Sequence, residues 1–345
     1  MRNFLVCVVV ILVHIGPAMA ADSVHVKFSL SSARDAPPSK GAESLSSDLA
    51  ANKVMQLDLL PAGAIGRPSD VADKVRARVI DMALVPVDSL TKFNPGFAIF
   101  ALPFAFGDLG AAARFQQSVE GQKLLQSLES AGLKGLAYWP IGMDQLVADR
   151  SVRGAGDLKG LKVANTGSAL ARSVFETLGA SAPTMAGAEL MAALETGVVD
   201  AAEIGLTGPA QLTMAKRAKY LNYTNQRYRG SVLIANLQFW NSLSNEVRQT
   251  TLTAIKRISS EVDRLAAEQT ASQIATLRSD GVELIIPEAS AFKSWRDIAA
   301  KTWLASGGDR QLLAVAGGAE GGGDPCGPGQ CRCPARTCSA DCCRR

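Results

Sequence analysis

Residues 157–203 alternate short apolar runs with stretches in which apolar side chains recur every three or four positions. The run from Leu161 to Val163 has the length of a buried strand, and the helical spacing after it stops at Gly179. Extended residues around Pro183 lead into a second helical stretch, which ends at Gly197 before another apolar run. This β-α-β-α-β order predicts a mostly parallel sheet, in which strand ends and loops form ligand crevices.

The N-terminal part of the chain shows the same alternation of period-two and helical spacing. Pro37 and Pro38 are predicted to break the chain before its first helix. The apolar run 97–102 is predicted as a strand, and a helix is expected to start near Asp108. Strands are also predicted at 25–31, 54–60 and 80–85, and helices at 40–52 and 70–78.

Long patterns connect the two predicted halves of the chain. Residues 132–149 have the pattern of one strand that crosses from a first lobe into a second, and 229–243 return as a strand and a turn. Helical spacing then holds from Ser244 to Gly281, about 36 residues or roughly 54 Å, without the sustained heptads of a coiled coil. The sequence therefore predicts an α/β fold of two lobes with an interlobe cleft, crossing strands and one long spanning helix.

Composition sets the size of the fold and argues against one class of partner. With 345 residues, 47% of them hydrophobic, the chain can build two cores of ordinary domain size. Its formal charge is +4, from 36 basic and 32 acidic residues, and basic residues neither cluster nor interleave with aromatic ones. No nucleic-acid partner is therefore expected.

The N-terminus has the pattern of an export signal. Arg2 supplies the positive charge, 4–15 form an apolar core, and Ala18-Met19-Ala20 is a small-x-small cleavage site. The apolar core is shorter than the about 20 residues that a membrane span needs, although an uncleaved anchor is the alternative. We expect 1–20 to be a cleaved signal peptide and the mature protein to be periplasmic.

Cysteine usage separates the body of the chain from its C-terminal end. There is no cysteine between Ala21 and Pro325, so no disulfide is needed in the predicted lobes. Residues 314–345 are rich in Gly and Cys and read as a disordered appendage; a zinc site is possible on spacing alone, but no histidine supports it. The six cysteines of this tail are at 326, 331, 333, 338, 342 and 343.

Six runs of sequence, in order and with matching spacing, resemble the solute-binding subunits of tripartite ATP-independent periplasmic (TRAP) transporters. The resemblance covers about residues 24 to 313. The matching runs are IDMALV (80–85), FAIFALPFAF (97–106), GLKGLAYW (132–139), DLKGLKV (157–163), LETGVVDAAE (194–203) and NLQFWNSL (236–243).

The resemblance implies a two-lobed solute-binding protein that closes on a small polar solute and delivers it to TRAP-type membrane permease subunits. Lobe I is expected to comprise 21–140 with 230–262, and lobe II 141–229 with 263–313. It implies no cofactor and no metal, and a monomer or a homodimer. A ligand that touches both lobes favours the closed state and shifts the population toward it.

Four positions depart from the family pattern that the resemblance implies. Members carry an arginine that clamps the ligand carboxylate where this chain has Ala164, and a second arginine where it has Asp144. The family asparagine after Glu203 is Ile204, and an N-terminal polar position is Leu30. Cationic groups are thus lost at the expected site and an acidic group is gained.

These departures leave two interpretations of the ligand open. An amine or neutral polar solute can face Asp144 and Glu203, with Trp139 or Tyr138 adding an aromatic face. Alternatively the ligand is a small organic acid, and another arginine such as Arg172 or Arg67 binds its carboxylate.

Several candidate residues also have structural interpretations. Trp139 can pack in a core, Asn236 can serve a turn, and Asn165 and Thr166 can cap a helix. Asp144 and Glu203 can be a turn residue and a structural acid. The predicted ligand-binding set is Trp139, Asp144, Ala164, Asn165, Thr166, Glu203 and Asn236.

Two other function classes compete with solute transport. An enzyme is not expected, because the mature chain has one histidine, His25, no cysteine in its body and no phosphate-binding glycine motif. A hydrolase that uses Asp144 and Glu203 as a carboxylate pair is the enzymatic alternative. A binding module that presents its closed form to a membrane receptor is the other alternative.

Overall fold

The computed structural model describes residues 24–165, 169–185 and 187–318. Eight strands are present in this part of the chain: β1 Val24–Ser29, β2 Met55–Leu60, β3 Met82–Pro86, β4 Leu133–Ala148, β5 Val163–Ala164, β6 Ala201–Gly205, β7 Tyr220–Asn236 and β8 Glu283–Ile285. They form one mixed sheet in the order β2-β1-β3-β7-β4-β6-β5, with β8 also paired to β7.

Helices cover the sheet and connect its strands. Those of the first 131 residues are α1 Pro37–Ala51, α2 Pro68–Arg76, α3 Leu109–Gln117 and α4 Val119–Ser127. Those that follow are α5 Ala169–Thr177, α6 Gly187–Glu195, α7 Pro209–Arg217, α8 Leu237–Ser242, α9 Asn245–Ser279, α10 Ala289–Ala305 and α11 Arg310–Gly318. Short 3-10 helices span Val87–Lys92, Pro95–Ala101, Leu128–Ala131 and Ala155–Leu158.

The two longest strands, β4 and β7, belong to both lobes of the molecule. They pair with each other in antiparallel register from Leu133↔Asn236 to Ala148↔Tyr220, with irregularities along the way. One end of β7 pairs with β3, which lies beside the parallel strands β1 and β2. The other end of β4 pairs with β6, beside β5. The crossing strands predicted from the sequence are therefore confirmed, and the fold is the expected two-lobed α/β fold.

Helix α9 spans the two lobes, as its apolar spacing predicts. The Ser244 hydroxyl caps it by accepting from the backbone N–H of Val247 at 3.2 Å. Its 35 residues are about 52 Å long at 1.5 Å per residue. Ile258 and Val262 pack in an apolar cluster of the first lobe, and Leu277 packs in one of the second.

The apolar run predicted as a strand at 97–102 is instead a 3-10 helix, Pro95–Ala101. The Asn94 side chain accepts from the backbone N–H of Gly96 at 2.8 Å, and Pro95 has the fixed φ of a helix start. Apolar side chains all around this turn suit it because it is buried on several sides. Phe100, for example, lies 5.3 Å from the ring of Tyr138 and 5.5 Å from that of Tyr228, measured between ring centroids.

Two predicted boundaries also differ from the structure. Helix α1 begins at Pro37 rather than near residue 40, because proline in the first turn of a helix removes no internal hydrogen bond. At the C-terminus, α11 continues to Gly318, and its Leu312 and Ala316 are buried. Residues 314–318 are therefore helical, and the cysteines of the tail lie outside the described residues. Within the described part, no helix is both long and apolar enough to cross a membrane.

Candidate functional site

Charged side chains meet where β7, β4 and β6 lie side by side. Asp144 of β4 pairs with Arg227 of β7 on one side and with Gly205 of β6 on the other. Arg229 lies two residues after Arg227 on β7, and Glu203 lies two residues before Gly205 on β6. Asp144, Glu203 and Arg227 are 0%, 2% and 8% exposed, so these three side chains are almost completely removed from solvent. We call Asp144, Glu203, Arg227 and Arg229 the charged cluster.

Arginines of β7 cover the carboxylate of Asp144. Nη2 of Arg227 lies 2.6 Å from Oδ2 of Asp144, and Nε of Arg227 donates to Oε1 of Glu203 at 2.7 Å. Nη1 of Arg229 lies 3.5 Å from Oδ1 of Asp144. The side chain of Arg229 is 38% exposed, which makes it the member of the cluster that solvent reaches.

Three carboxylate oxygens of the cluster are buried without a hydrogen bond from any described residue: both of Asp144 and Oε2 of Glu203. The arginine nitrogens lie at ion-pair distance from Asp144 but not in hydrogen-bonding geometry. A buried acceptor without a donor is costly. A proton on Oε2 of Glu203 would supply one, because a protonated carboxyl can donate to the Asp144 carboxylate.

The pKa values of the cluster agree with this proton. Burial raises the pKa of Glu203 to about 7; Arg227 opposes the shift, and the neighbouring Asp144 carboxylate adds to it. For Arg227, burial favours the neutral form, but attraction to Glu203 and Asp144 outweighs burial, and its pKa is raised. Arg227 therefore stays charged, and Glu203 is the group that titrates near neutral pH.

Two glycines shape the space around the charged cluster. A Cβ built on Gly205 would lie 2.9 Å from Oδ1 of Asp144 and 3.1 Å from Nη1 of Arg229, so only glycine lets both groups lie over β6. A Cβ built on Gly142, which pairs with Arg229, would meet nothing closer than Oγ1 of Thr270 at 3.8 Å. A methyl group at Gly142 would therefore fit, in ordinary van der Waals contact with Thr270 and Thr207.

The positions at which the resemblance implies an arginine and an asparagine lie in an apolar cluster instead. Ala164 and Ile204 are both buried and both belong to the cluster that includes Val147 and Ala202. Ala164 pairs directly with Ala202, two residues before Ile204 on the same strand. Where the resemblance implies an arginine and an asparagine, this chain has Ala164 and Ile204. The two changes are compatible, because both side chains belong to the same apolar cluster.

Asn165 follows β5, the strand at one edge of the sheet. Asn165 is fully buried, and its side-chain amide donates to the carbonyl of Ala182 at 3.3 Å. Its backbone joins the extended residues predicted around 181–185 through the carbonyl of Pro183. Thr166 lies outside the described residues.

Trp139 and Asn236 lie away from the charged cluster. Trp139 is fully buried in the first lobe, and its indole N–H donates to the hydroxyl of Ser259 on α9 at 2.8 Å. The Asn236 side chain accepts from the backbone N–H of Phe239 and donates to the carbonyl of Val75, so it caps α8 and joins it to α2. Among the predicted residues that the structure describes, only Asp144 and Glu203 meet in the charged cluster.

The two arginines proposed from the sequence as replacement clamps are on the surface. Arg67 pairs with Asp70 in its own helix turn, and Arg172 contacts the hydroxyl of Thr184. Arg227 and Arg229 are not among the residues predicted from the sequence. Their signal was present: two arginines at alternate positions in a strand that is otherwise largely buried, so that both point to one face.

The family model for bacterial extracellular solute-binding proteins, family 7 (DctP), matches residues 28–307. The chain belongs to this family. It is 29% identical to the C4-dicarboxylate-binding periplasmic protein DctP of Rhodobacter capsulatus over 287 residues, 80% of this chain and 85% of that protein. It is 28% identical to the 2,3-diketo-L-gulonate-binding periplasmic protein YiaO of Escherichia coli, over 67% of this chain and 71% of that protein.

Solved structures of TRAP periplasmic solute-binding proteins share the fold. The malate-bound protein of Pseudomonas aeruginosa is 26% identical, with a TM-score of 0.71 over 82% of this chain and 99% of that chain. A protein of Ochrobactrum anthropi, 23% identical, reaches a TM-score of 0.81 over 86% of this chain and 94% of that chain.

Family membership fixes the general role of the molecule. As a family 7 protein it is a TRAP-type solute-binding protein and not an enzyme, and its family is periplasmic, binds small solutes and works with TRAP membrane permeases. In the described part of the chain no three His, Cys, Asp or Glu side chains come together as a metal site.

Proposed function

We propose that this protein captures a small organic acid between its lobes and delivers it to a TRAP permease, with Arg229 binding the ligand carboxylate. One observation carries the proposal. Asp144, the acid that a cationic ligand would need, lies under two arginines, and the cation nearest to solvent in the cluster is Arg229. An exposed guanidinium attracts a carboxylate and can bind it with two hydrogen bonds.

An amine ligand fits this arrangement poorly. To reach Asp144, an ammonium group would have to displace Arg227 or Arg229 and leave a guanidinium without its partner. Glu203 is buried as well, and Nε of Arg227 already donates to its Oε1. The relatives support the same choice: the Pseudomonas aeruginosa protein was solved with malate, and the Rhodobacter capsulatus protein is named for C4-dicarboxylates.

The charged cluster also contains arginines, although the two positions where the resemblance implies an arginine are Asp144 and Ala164. The resemblance implies an arginine at position 144, and the arginines here come from β7, directly across from Gly142 and Asp144. We therefore place the carboxylate-binding function on β7 instead of at positions 144 and 164. We place the ligand carboxylate beside Gly142, where the absence of a side chain leaves room next to Arg229.

The proposal is tested by ligand binding to the protein purified after expression of the full chain. Malate, succinate and galacturonate are titrated by calorimetry, with 1,4-diaminobutane as the amine. We expect one or more acids to bind and Arg229→Gln to weaken that binding about tenfold or more, the usual effect of losing a charge-assisted hydrogen bond.

Arg67→Gln and Arg172→Gln are the matched controls, because each removes a surface arginine considered as an alternative clamp. Both are expected to bind the acid like the unchanged protein. Binding of the diamine but of no acid would contradict the proposal, as would loss of acid binding in either control with Arg229→Gln unaffected.

We further propose that the signal peptide 1–20 is removed on export and that the lobes, 21–140 with 230–262 and 141–229 with 263–313, close around the acid in a monomer or a homodimer. Support comes from the apolar N-terminal run and from the long strands β4 and β7, which cross between the two halves of the sheet. The intact mass of the periplasmic protein is expected to correspond to a chain that starts at Ala21.

A further inference from the structure

Phe104 packs between the two proposed lobes. It lies in the loop between the 3-10 helix Pro95–Ala101 and α3, within the range proposed as lobe I. Its ring centroid is 5.3 Å from that of Trp295 on α10, in the range proposed as lobe II. The indole N–H of Trp295 donates to the carbonyl of Ala155, also in lobe II, at 3.3 Å. Phe104 is 4% exposed, so this contact between the lobes is closed to solvent.

The strand β7 bulges beside the charged cluster. Between the pairs Asp144↔Arg227 and Leu146↔Asn222, β4 has one residue, whereas β7 has the four residues 223–226. Extra residues of this kind bend a strand and increase its local twist. The bulge therefore adjoins the cluster at Arg227.

Hydrogen bonds connect this bulge to the loop that carries Phe104. The backbone N–H of Phe104 donates to the carbonyl of Gln226 at 2.6 Å. The side-chain amide of Asn225 donates to the carbonyl of Gly107 at 3.0 Å, and its Oδ1 accepts from Nε2 of Gln145 at 2.6 Å. The Asn225 side chain thus joins the loop, the bulge and β4.

Phe104 has a strained backbone in this contact. Its φ is +61°, in the left-handed region that bulky residues rarely adopt. Such strain persists only where the surrounding contacts fix it, and it is typical of clamps and switch regions. Here the stacking on Trp295 and the hydrogen bond to Gln226 fix it.

The Phe104 loop and α9 lie on opposite faces of the β4-β7 pair. Trp139 donates to Ser259 of α9, whereas the ring of the adjacent Tyr138 lies 5.3 Å from that of Phe100, just before the loop. Successive side chains of a strand point to opposite faces. The crossing strands are therefore held between the long helix on one face and the loop on the other.

We propose that Phe104 is the pivot of lobe closure, a fixed contact about which the second lobe rotates. Its contacts with Trp295 and Gln226 persist in the open and the closed state, and β4 and β7 bend beside them. Because Arg227 directly follows Gln226, the charged cluster lies near the rotation axis and moves little. That closure follows ligand binding rests on the proposed function.

Distances between the lobes test the pivot without a ligand. Spin labels are placed at Ala50 on α1 and Glu176 on α5, which are both exposed, in the protein purified after expression of the full chain. They are attached through p-acetylphenylalanine, because the six cysteines of the tail react with thiol labels. We expect Phe104→Ala to broaden the distance distribution measured by double electron–electron resonance, since the lobes lose their fixed contact.

Phe292→Ala is the matched control. Phe292 also packs on Trp295, with ring centroids 5.5 Å apart, but both residues belong to α10 and so to one lobe. The control is expected to lose stability and to keep the distance distribution of the unchanged protein. If Phe104→Ala does not fold, Asn225→Gly decides, because glycine keeps the left-handed backbone and removes the side chain that joins the loop to β4. This variant too should broaden the distribution.

The outcomes separate the pivot from the proposed function. Unchanged distributions in Phe104→Ala and Asn225→Gly would overturn the pivot, as would equal broadening in Phe292→Ala. By calorimetry, Phe104→Ala should bind malate, succinate or galacturonate about threefold or more weakly, because fewer molecules hold the lobes in the orientation that binds. Unchanged affinity despite broader distances would overturn the role of the pivot in closure. Broadening in a protein that binds no acid would overturn the proposed function and leave the pivot standing.

Phe104→Gly tests the strain. Glycine adopts positive φ freely, so we expect Phe104→Gly to unfold at a higher urea concentration than Phe104→Ala. The reverse order would contradict the strained contact.

Discussion

Gly205 is the residue on which the close approach of the cluster's side chains depends. A methyl group there would lie 2.9 Å from Oδ1 of Asp144 and 3.0 Å from Cδ of Arg229. Arg229 has room to move, whereas Asp144 is buried between strands. We expect Gly205→Ala to destabilise the protein by about 1–3 kcal/mol, the usual cost of overpacking, and to weaken acid binding because Arg229 is displaced.

Gly142→Ala is the matched control on the neighbouring strand. Its new methyl group would be 3.8 Å or more from other atoms, so no clash is expected and stability should be unchanged or slightly higher. Because the added methyl group enters the space assigned to the ligand, acid affinity should still fall. Equal stability losses in the two variants, measured by denaturant unfolding, would contradict the packing described for Gly205.

Glu203 makes the stability of the protein without ligand depend on pH. Its pKa is about 7 in the fold against 4.5 when unperturbed, so the folded state holds the proton more tightly. This contribution is complete below about pH 4.5 and is lost as the pH rises through about 7. It should amount to about 1–3 kcal/mol between pH 5 and pH 8.

Urea unfolding at pH 5 and pH 8 measures this contribution. Glu203→Gln should reduce the difference in unfolding free energy between pH 5 and pH 8. Glu176→Gln, at an exposed position of α5, should leave that difference unchanged. A difference that persists in Glu203→Gln would show that another group titrates.

The charged cluster could be predicted only in part from the sequence. Asp144 and Glu203 stood out because each lies at a position that the family resemblance marks. Arg227 is 83 positions from Asp144, and their contact depends on the register between β4 and β7, which includes an irregularity just after Asp144. Strand register across such a bulge is not encoded in hydrophobic periodicity, so the sequence alone could not pair these residues.

At the scale of elements, hydrophobic periodicity correctly predicted strands and helices that bury one face. β1 alternates as predicted, and α9 has the predicted span because its apolar spacing continues through 35 residues. The strand predicted at 97–102 was wrong, because a segment that is apolar on all sides has no periodicity that distinguishes a strand from a helix. There the Asn94 cap and Pro95 decided the structure.

Trp139 connects β4 to α9, and this contact gives an element-scale prediction. Trp139→Phe removes the donor to Ser259 and leaves part of the indole volume empty. We expect a loss of about 1–3 kcal/mol of unfolding free energy. Acid affinity should be unchanged, because Trp139 is buried in the apolar cluster of the first lobe and its indole N–H is bound to Ser259. A tenfold weaker affinity with unchanged stability would instead make Trp139 a ligand-binding residue.

At the scale of the whole molecule, the charged cluster lies on the strands that join the lobes. Asp144 and Arg227 stand where the β4-β7 pair leaves the first half of the sheet and meets β6. A ligand bound to Arg229 would therefore contact the strands that connect the lobes. At such a connection a small local shift can be amplified into closure of the lobes. The same fold carries a different arrangement of charge from the one that the family resemblance implies, with arginines on β7 and an acid on β4.

A crystal structure of the protein with a bound organic acid tests the proposed function most directly. We predict a ligand carboxylate oxygen within about 3 Å of the Arg229 guanidinium, beside Gly142, and Oε2 of Glu203 within hydrogen-bond distance of Asp144. A carboxylate bound by Arg67 or Arg172, with Arg229 still turned to Asp144, would contradict it.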